Sequence, residues 1–297
     1  MRTNILLSAA LITTAFVLSG CGNDSPPPTP ADYTATDSLV DEIYNNVVNS
    51  PELDIIADID HSRLAAEDGA SLSPSRVLIV SNPGLESRLL QRNLLIGLDL
   101  PIRVLAYEDP DSGLALLTWN RFDYLASRYD ISALGASRAG YSATLDLMLR
   151  NIDPANLQAM GNDNMQPDGI TTLDSPVDFD STVERVLATI EGEEDALLFG
   201  QVDFTAQAAE LGIDLPQARL ILFGAPAPGA RAMGPTPTLG LDAFCQKFLV
   251  WEGKTGQVYL SYNHLPALGE RHGGGIALPL KHIAKRMDGL FGEALAE

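Results

Sequence analysis

The sequence has little cysteine, few aromatic residues and a shortage of basic side chains. Its 297 residues include two cysteines, Cys21 and Cys245, so a disulfide scaffold is excluded. Aromatic residues make up 6%, and 19 Lys and Arg oppose 39 Asp and Glu, which gives a formal net charge of -20. That charge repels phosphate backbones, so we expect no nucleic-acid partner. With 45% hydrophobic residues, the chain is long enough for about two domains, each with its own core.

Long hydrophobic runs are missing except near the N-terminus. Arg2 precedes an apolar stretch over residues 5–18, which is short for a membrane span of about 20 apolar residues and fits a signal peptide better. The stretch ends in Leu18-Ser19-Gly20-Cys21, which resembles the lipobox of bacterial lipoprotein precursors. The resemblance implies that residues 1–20 are removed and that the Cys21 thiol carries a diacylglyceryl group. The alternative is an ordinary secretory signal whose cleavage site adjoins a cysteine.

The residues after this cysteine indicate a tether and a location. Residues 21–32 include four prolines, Pro26, Pro27, Pro28 and Pro30, and we expect an extended polyproline-type segment there. By resemblance to Gram-negative lipoproteins, Gly22 in place of Asp favours the outer membrane. We therefore expect a cell-envelope protein that is lipid-anchored at the periplasmic face of the outer membrane, with the membrane as one partner.

The remaining chain contains an internal repeat. A shift of 143 positions superimposes polar and apolar positions of one half on the other. The matched pairs include Asp60/Asp203, Gly97-Leu98-Asp99/Gly240-Leu241-Asp242, Asn120/Asn263 and Arg128/Arg271, while an extra residue near Cys245 shifts Tyr107-Glu108 to Trp251-Glu252. One offset kept over about seventy positions indicates a tandem duplication.

Each copy is predicted to mix strands and helices. Hairpins are predicted over 102–108 with 114–119, and over 247–252 with 257–262, because β-rich runs flank turn residues there. Hairpins imply an antiparallel sheet whose face helices must cover, so the predicted class is α+β. Ser181-x-x-Glu184 indicates a capping box at the start of a helix. The predicted division is 33–160 for the first domain, 161–168 for a linker and 169–297 for the second domain.

The strand ends carry a shared pattern. The second copy has Leu220-Ile221-Leu222-Phe223-Gly224-Ala225-Pro226, Val250-Trp251-Glu252, Tyr262-Asn263 and Arg271-His272-Gly273, and the first has Ser81-Asn82-Pro83, Tyr107-Glu108 and Trp119-Asn120. This pattern resembles the domain of unknown function 302 family, in which an apolar strand ends in Gly-Asn-Pro. The resemblance implies two tandem modules with helices packed on one curved antiparallel sheet, as in TATA-binding-protein-like domains. That fold hosts unrelated functions and does not decide this one.

Both copies depart from the family pattern. The first keeps Asn82 but has Glu86-Ser87 where Gly-Thr is usual, and the second keeps Gly229 but has Ala225 in place of Asn. The Asp-His pair of the family pattern is present as Asp60-His61 in the first copy, whereas the second copy has Asp203-Phe204. Neither copy therefore has the usual set of polar residues intact, and the first keeps more of it.

Four polar residues of the first copy form the predicted ligand site: His61, Asn82, Glu108 and Asn120. Glu108 ends one hairpin strand and Asn120 ends its partner, so we expect the hairpin to bring these two side chains together. The alternative is a local role in which they hydrogen-bond loop backbone and fix the turn. Arg128 and its equivalent Arg271 present the same choice between a ligand contact and a helix–sheet ion pair.

Motifs that suggest catalysis or metal binding are incomplete. His272-Gly273-Gly274-Gly275 resembles a lipase oxyanion loop, but no Gly-x-Ser-x-Gly elbow accompanies it. The four histidines lack carboxylates or thiols at ligand spacing, and Cys245 lies in an apolar segment typical of a buried, inert thiol. We predict no metal, no cofactor and no catalytic residue.

These observations favour a non-enzymatic lipoprotein that binds a small ligand or acts as a scaffold, with a small molecule or an envelope protein as its partner. The alternative is a periplasmic hydrolytic or redox enzyme of unknown substrate. Polar positions that converge in a pocket and have perturbed pKa values would favour the enzyme.

Overall fold

Each copy builds one antiparallel sheet. The computed structural model describes residues 31–131, 135–160, 169–275 and 277–296. The first sheet consists of β1 (Asp54–Asp60), β2 (Ser75–Ser81), β3 (Ile102–Glu108) and β4 (Ala115–Trp119), in that order. The second consists of β5 (Ile170–Ser175), β6 (Leu197–Asp203), β7 (Ala218–Gly224), β8 (Gln246–Glu252) and β9 (Val258–Asn263), in the order β5-β9-β8-β7-β6. The predicted α+β class and both predicted hairpins are confirmed.

Helices occupy the connections between strands. The first copy has α1 (Thr34–Val48), α2 (His61–Glu67), α3 (Pro83–Leu90), a 3-10 turn (Leu94–Leu98), α4 (Phe122–Tyr129), α5 (Gly135–Met148) and a second 3-10 turn (Pro154–Asn156). The second has α6 (Phe179–Glu191), α7 (Phe204–Glu210), α8 (Pro226–Met233), α9 (Leu239–Asp242), α10 (Leu265–Arg271) and α11 (Leu278–Ala296). Within the described ranges, none of these helices has the length and apolar character that crossing a membrane requires.

The N-cap of helix α6 lies three residues before the predicted capping box at Ser181. The carboxylate of Asp178 accepts a hydrogen bond from the backbone N–H of Ser181 at 2.9 Å, so Asp178 is the N-cap. An Asp at this position accepts a hydrogen bond from a free N–H of the first turn, and its negative charge interacts favourably with the positive end of the helix dipole. The predicted cap at Ser181 is therefore wrong.

One face of the second sheet carries an aromatic core under α11. Phe248 of β8 stacks on Phe223 of β7 with ring centroids 4.7 Å apart, and Phe291 of α11 meets the Phe248 ring edge-on at 4.2 Å. Such pairs add to the stability gained by burying the rings. The size of the side chains between the second sheet and its helices determines whether this region is fully packed or contains a cavity.

The other faces of the two sheets lie at the junction of the copies, within one compact unit. Helix α2 packs on α8, α3 on α7, and the 3-10 turn of the first copy packs on β8. Glycines at equivalent positions permit the close approach. A Cβ at Gly97 would lie 2.9 Å from Leu249, and a Cβ at Gly240 would lie 3.0 Å from Leu105. The predicted domain boundaries stay predictions, and the predicted signal peptide and linker lie outside the described residues.

A buried interface network and a candidate ligand pocket

A buried network of ion pairs and amides joins the two copies. Its members, here called the interface network, are Asp99, Arg103, Asn120, Arg128, Asp242, Asn263 and Arg271. Arg128 donates to Asp99 of its own copy and to Asn263 Oδ1 of the other copy, both at 2.7 Å. Arg271 likewise donates to Asp242 of its own copy and to Asn120 Oδ1 at 2.6 Å. Equivalent arginines therefore cross the junction in opposite directions.

Arg103 links the two carboxylates directly. It donates to Asp99 at 3.0 Å and to Asp242 at 3.2 Å, and both carboxylates have no exposed surface. Tyr129 and His272, which occupy equivalent positions, complete the set. The Tyr129 hydroxyl donates to Asp99 at 2.7 Å, and His272 Nε2 lies 2.8 Å from an oxygen of Asp242. Both carboxylates are thus held by several partners.

The arginines keep both aspartates ionised. Burial alone raises the pKa of Asp99, but Arg128 and Arg103 outweigh it and hold that pKa at about 2. Burial also acts against ionisation of Asp242, and Arg271 with His272 lowers its pKa well below the ordinary value. Three arginines thus face two carboxylates, which leaves the interface network with an excess positive charge.

Lys247 adds a second kind of cation beside this network. Its register partner in β7 is Leu222, and Leu222 is the equivalent of Ile79, which pairs with Arg103 in the first copy. Lys247 is therefore the counterpart of Arg103. Its ammonium donates to the backbone carbonyl of Asp242 at 2.5 Å. Burial, followed by repulsion from Arg103, lowers the pKa of Lys247 to about 7.

A small cavity, too narrow to hold a water molecule, lies beside Lys247, Asn263 and Asp242. The Oδ1 of Asn263 accepts from Arg128, but its buried Nδ2 has no hydrogen-bond partner among the described residues. The equivalent Nδ2 of Asn120 donates to Asp242 at 2.7 Å. Both polar atoms of the Asn120 amide therefore have hydrogen-bond partners, whereas only the oxygen of the Asn263 amide has one among the described residues.

The first copy fills the space at the end of β2 with a polar plug, formed by Ser81, Asn82, Glu86 and Thr144. Ser81 Oγ and the backbone N–H of Asn82 donate to the Glu86 carboxylate at 2.8 and 2.9 Å. Asn82 Nδ2 donates to Thr144 Oγ1 at 2.9 Å, and Asn82 Oδ1 caps α3 through the N–H of Leu85. Burial raises the pKa of Glu86 to about 7. The plug is thus a closed hydrogen-bonded unit.

The second copy has none of the polar side chains of the plug. The equivalents of its four residues are Gly224, Ala225, Gly229 and Met287. An apolar pocket of about 500 Å³, here called the second-copy pocket, opens beside them. It is lined by Ile190, Ala196, Phe223, Ala225, Pro228, Phe244, Gln246, Ile283, Met287, Leu290 and Phe291, with Glu193, Asp195 and Arg286 also lining it.

Three charged residues form the rim of this pocket. Arg286 Nη1 donates to Asp195 at 2.8 Å, and Arg286 Nε donates to Glu193 at 3.1 Å. Two carboxylates share one guanidinium, so the rim is negative overall. On the inner side, the second-copy pocket and the small cavity share Gln246 and Met287 as lining residues. An apolar space with a negative rim thus shares two lining residues with a narrow cavity of mixed polar and apolar lining.

Two further spaces lie near the junction. A cavity of about 290 Å³ is lined by His61 and Cys245 and meets the second-copy pocket at Ala225 and Phe244. The Phe244 ring fills part of the space left at Gly229, where a Cβ would lie 3.3 Å from it. An open groove of about 800 Å³ runs between the end of α3 and the β8–β9 turn. Cys245 is buried, and burial raises the pKa of its thiol.

The structure places the four predicted site residues apart from one another. Asn82 belongs to the polar plug and Asn120 to the interface network. His61 is buried at the junction, where its Nε2 lies 3.3 Å from the carbonyl oxygen of Gly240 and burial lowers its pKa to about 4. Glu108 is half-buried at the turn of the first hairpin. The four do not form one pocket.

The expected pairing of Glu108 with Asn120 is wrong. Glu108 pairs with Ala115 beside the turn, whereas Trp119, the last residue of β4, pairs with Val104. Asn120 therefore lies at the far end of the hairpin from Glu108. The same register separates Glu252, which pairs with Val258, from Asn263. A hairpin brings together the residues next to its turn, and the asparagines follow the opposite ends of the strands.

Sequence reasoning missed the residues that matter most in both regions. Asp99 and Asp242 were visible as a matched pair, and Arg128 and Arg271 were recognised as ion-pair candidates, but the repeat offset does not show that they bond across the copies. Lys247 carried no signal at all. Ala225 was visible as a departure from the family pattern in the second copy, and Glu86 as one in the first, but the open space beside Ala225 was not visible. In the described part of the chain, no group of three His, Cys, Asp or Glu side chains is placed to hold a metal.

The fold and its junction define a tandem α+β protein in which two like modules share one buried interface. The chain belongs to the family described as Domain of unknown function DUF302, because the family model matches residues 29–152 and 171–294. The predicted family resemblance and the predicted tandem copies are confirmed.

Relatives cover parts of the chain. "Fluoride-specific ion channel FluC 1" of Brucella suis biovar 1 is 36% identical over 109 residues, which is 37% of this chain and 42% of that protein. "Fluoride-specific ion channel FluC 2" of Brucella melitensis biotype 1 is also 36% identical over 109 residues, and 40% of it is covered. The chain thus spans about two fifths of the length of these curated relatives. A crystal structure of an uncharacterized conserved protein DUF302 from Bacillus stearothermophilus has a TM-score of 0.36 and 19% identity, covering 43% of this chain and 96% of that one.

Proposed function

We propose that this chain is a lipid-anchored binding protein of the bacterial envelope that holds a small, mostly apolar ligand in the second-copy pocket. The observation that carries the proposal is the difference between the two copies at the position of the polar plug. The first copy fills this position with Asn82, Glu86 and their partners, and the second has Ala225 and Gly229 there. Hydrogen-bonded side chains close this position in the first copy, and the second copy leaves a pocket open beside it. Such an open pocket can accept a ligand.

The physical character of the pocket supports this role. Ligand sites in proteins are concave, mostly apolar and largely preformed. The second-copy pocket has this apolar character and presents three phenylalanines, Phe223, Phe244 and Phe291. An unfilled apolar cavity costs stability because its lining lacks packing partners. A ligand of matching shape would restore those contacts.

The positions of the predicted site residues favour binding over catalysis. An enzyme needs a nucleophile, a base and a group that orients the base within hydrogen-bond reach of one another. His61, Asn82, Glu108 and Asn120 lie in four separate places, and the second-copy pocket is lined mainly by carbon. We therefore keep the non-enzymatic role and set aside the hydrolytic or redox alternative.

The N-terminal sequence supports the location. Residues 18–21 form the lipobox-like ending, so Cys21 is the proposed lipid acceptor, and the proline-rich segment over 21–32 is the proposed tether. More than one acyl chain makes membrane anchoring stable. Cys21→Ser should release the protein from outer-membrane fractions or leave an uncleaved precursor. Unchanged membrane association and unchanged mobility on gels would contradict the anchor.

The binding proposal is tested with a neutral apolar reporter. N-phenyl-1-naphthylamine should become strongly fluorescent when it enters the second-copy pocket, and Ala225→Leu should abolish the signal because the larger side chain projects into that space. The matched control is Ala139→Leu, the same change at an exposed position of α5. Saturable binding to the wild type and to the control, lost only in Ala225→Leu, is the expected result. No binding to the wild type, or equal binding to all three proteins, would overturn the proposal.

A further inference from the structure

We infer that the ligand of the second-copy pocket is an amphipathic cation, whose apolar part enters the pocket and whose ammonium group stays at the rim beside Glu193. The inference rests on the proposed function and adds the charge of the ligand's head group to it. The pocket itself forms the ligand site. Three observations on the described residues decide the head group: the charge of the rim, an available carboxylate oxygen, and the end of helix α6 beside the pocket.

Acidic side chains outnumber basic ones among the residues that line the pocket. In the part of the chain that the structure describes, Glu193 and Asp195 are its carboxylates and Arg286 is its one cation. The arginine bonds to both carboxylates, so the rim keeps one negative charge. The whole chain is also strongly acidic, with a formal net charge of -20, and attracts cations from solution. An ammonium group is therefore favoured at this rim, and a carboxylate is repelled.

One oxygen of Glu193 is available to an incoming donor. Arg286 Nε donates to Glu193 Oε2 at 3.1 Å, and the same guanidinium donates to both oxygens of Asp195, at 2.6 and 2.8 Å. Glu193 Oε1 accepts no hydrogen bond from any described residue. The Glu193 side chain is 24% exposed, so a head group can reach it from solution. An ammonium group has three N–H donors and can bond to this oxygen while it stays hydrated, which avoids the cost of burying a charge.

Helix α6 adds negative potential on the same side of the pocket. The helix ends at Glu191, its last turn holds no basic residue, and Ile190 of that turn lines the pocket. The C-terminal end of a helix carries a partial negative charge, which favours a cation within about one turn of that end. Glu193 and Asp195 follow directly after this helix end. The helix and the two carboxylates therefore act together on a head group at the rim.

The interior of the pocket fixes the orientation of such a ligand. Inside the rim, the described lining is apolar except for the amide of Gln246, and it includes Phe223, Phe244 and Phe291. This interior offers hydrocarbon a place to pack but gives an ammonium group no charged partner. Because a buried, unpaired charge is costly, the apolar part enters and the charged group remains outside.

The test compares three ligands that differ only in the head group. Decylammonium, decanol and decanoate compete with N-phenyl-1-naphthylamine for the wild-type chain at pH 7 and low salt. Decylammonium should bind about fivefold more tightly than decanol, as expected for one exposed ion pair, and decanoate should bind least tightly. A salt concentration of about 0.5 M should weaken this preference, because salt screens exposed charges. Equal affinities of decylammonium and decanol at low salt, tighter binding of decanoate, or a preference that salt does not weaken would overturn the head-group assignment.

Substitutions at the rim separate a direct contact from the general charge of the chain. Glu193→Gln leaves one carboxylate and one guanidinium, so the preference for decylammonium over decanol should disappear. Arg286→Gln leaves two carboxylates and should increase the preference by about threefold, a change that poor folding does not produce. The matched control is Glu194→Gln, the same change at an exposed neighbour outside the pocket lining, which should keep the wild-type preference. An unchanged preference in Glu193→Gln, or an equal loss in Glu194→Gln, would contradict the contact at the rim.

The two proposals fail in different ways. If the neutral reporter does not bind the wild type, the second-copy pocket is no ligand site and the proposed function fails. If the reporter binds and decylammonium has no advantage over decanol, the pocket stands and the head-group inference alone fails.

Discussion

The two copies have different side chains at the position that follows the second strand of the first sheet and its equivalent in the second sheet. At the end of β2 the first copy buries the Glu86 carboxylate within a hydrogen-bonded plug, whereas the second has Gly229 there and an apolar pocket alongside. A buried carboxylate and an open cavity both cost stability, and neither is needed to close the sheet. The family pattern has Gly at the Glu86/Gly229 position and Asn at the Asn82/Ala225 position, so each copy departs from it once here. The first copy adds a buried carboxylate, and the second lacks the amide.

The junction shows what both copies kept. Equivalent aspartates, arginines and asparagines occur on both sides, and each arginine bonds to the asparagine of the opposite copy. Buried ion pairs of this kind are weak evidence for net stability, but the removal of one partner is costly because it leaves an unpaired charge. We interpret the interface network as the device that fixes how the copies dock, and the second-copy pocket as the place where they differ.

The largest expected effect comes from breaking the interface network. Asp242→Asn removes the charge that Arg103 and Arg271 share and should lower the free energy of unfolding by about 3–5 kcal/mol. Asp99→Asn should cost a similar amount, since the two positions are equivalent. Urea unfolding followed by circular dichroism measures both, with Asp174→Asn on an exposed position of β5 as the control. A loss at one aspartate only would contradict the symmetric interpretation.

Replacement of Lys247 should stabilise the protein, in contrast to replacement of the aspartates. Its pKa is lowered from 10.5 to about 7 by burial and Arg103, so the charged amine destabilises the folded state fully below pH 7, and this cost disappears as pH rises toward 10.5. Lys247→Met should therefore raise the free energy of unfolding at pH 7 by about 2–4 kcal/mol. It should also flatten the rise in stability of the wild type between pH 7 and 9. A destabilised variant would show that the ammonium–carbonyl bond outweighs burial.

The buried carboxylate of Glu86 should destabilise the polar plug when it is ionised. Its pKa is raised from 4.5 to about 7 by burial, so the ionised carboxylate destabilises the fold fully above pH 7 and not at all below pH 4.5. Glu86→Gln should gain about 1–3 kcal/mol at pH 8 and nothing at pH 4. Thermal melts at the two pH values measure the difference. A gain that is the same at both would assign the effect to packing rather than to charge.

The smallest effect is expected at the hairpin glutamates. Glu108 and Glu252 are half-buried beside their turns and far from the asparagines, so Glu108→Gln and Glu252→Gln should each change stability by no more than about 0.5 kcal/mol. Binding of the neutral reporter should also stay unchanged. Loss of binding in Glu108→Gln would instead support the ligand site first predicted in the first copy.

The sequence predicted local structure well and distant contacts poorly. The hairpin over 102–108 and the α+β class follow from periodicity and turn residues, which act over a few positions. The start of α6 was misplaced because Asp178 and Ser181 are both good caps and the pattern does not rank them. The bond from Arg128 to Asn263 depends on how two sheets dock, which a repeat offset does not reveal.

The pocket illustrates the same limit. Ala225 stands out in the sequence as a departure from the family pattern, but a small residue leaves an open space only when its neighbours fail to close in. Phe244 closes part of that space and leaves the rest. Such an outcome is decided by side-chain volumes from β7, α8 and α11 together, and no single segment carries it.

The most direct test of the central claim is a crystal structure of the protein soaked with 10-bromodecanol, whose bromine gives an anomalous signal and whose neutral head group leaves the question of charge aside. The account predicts one strong peak in the second-copy pocket, among Phe223, Phe291 and Met287, and none beside Glu86 in the first copy. A peak beside Glu86, peaks of equal height in both copies, or a peak confined to the groove at Trp251 would contradict it.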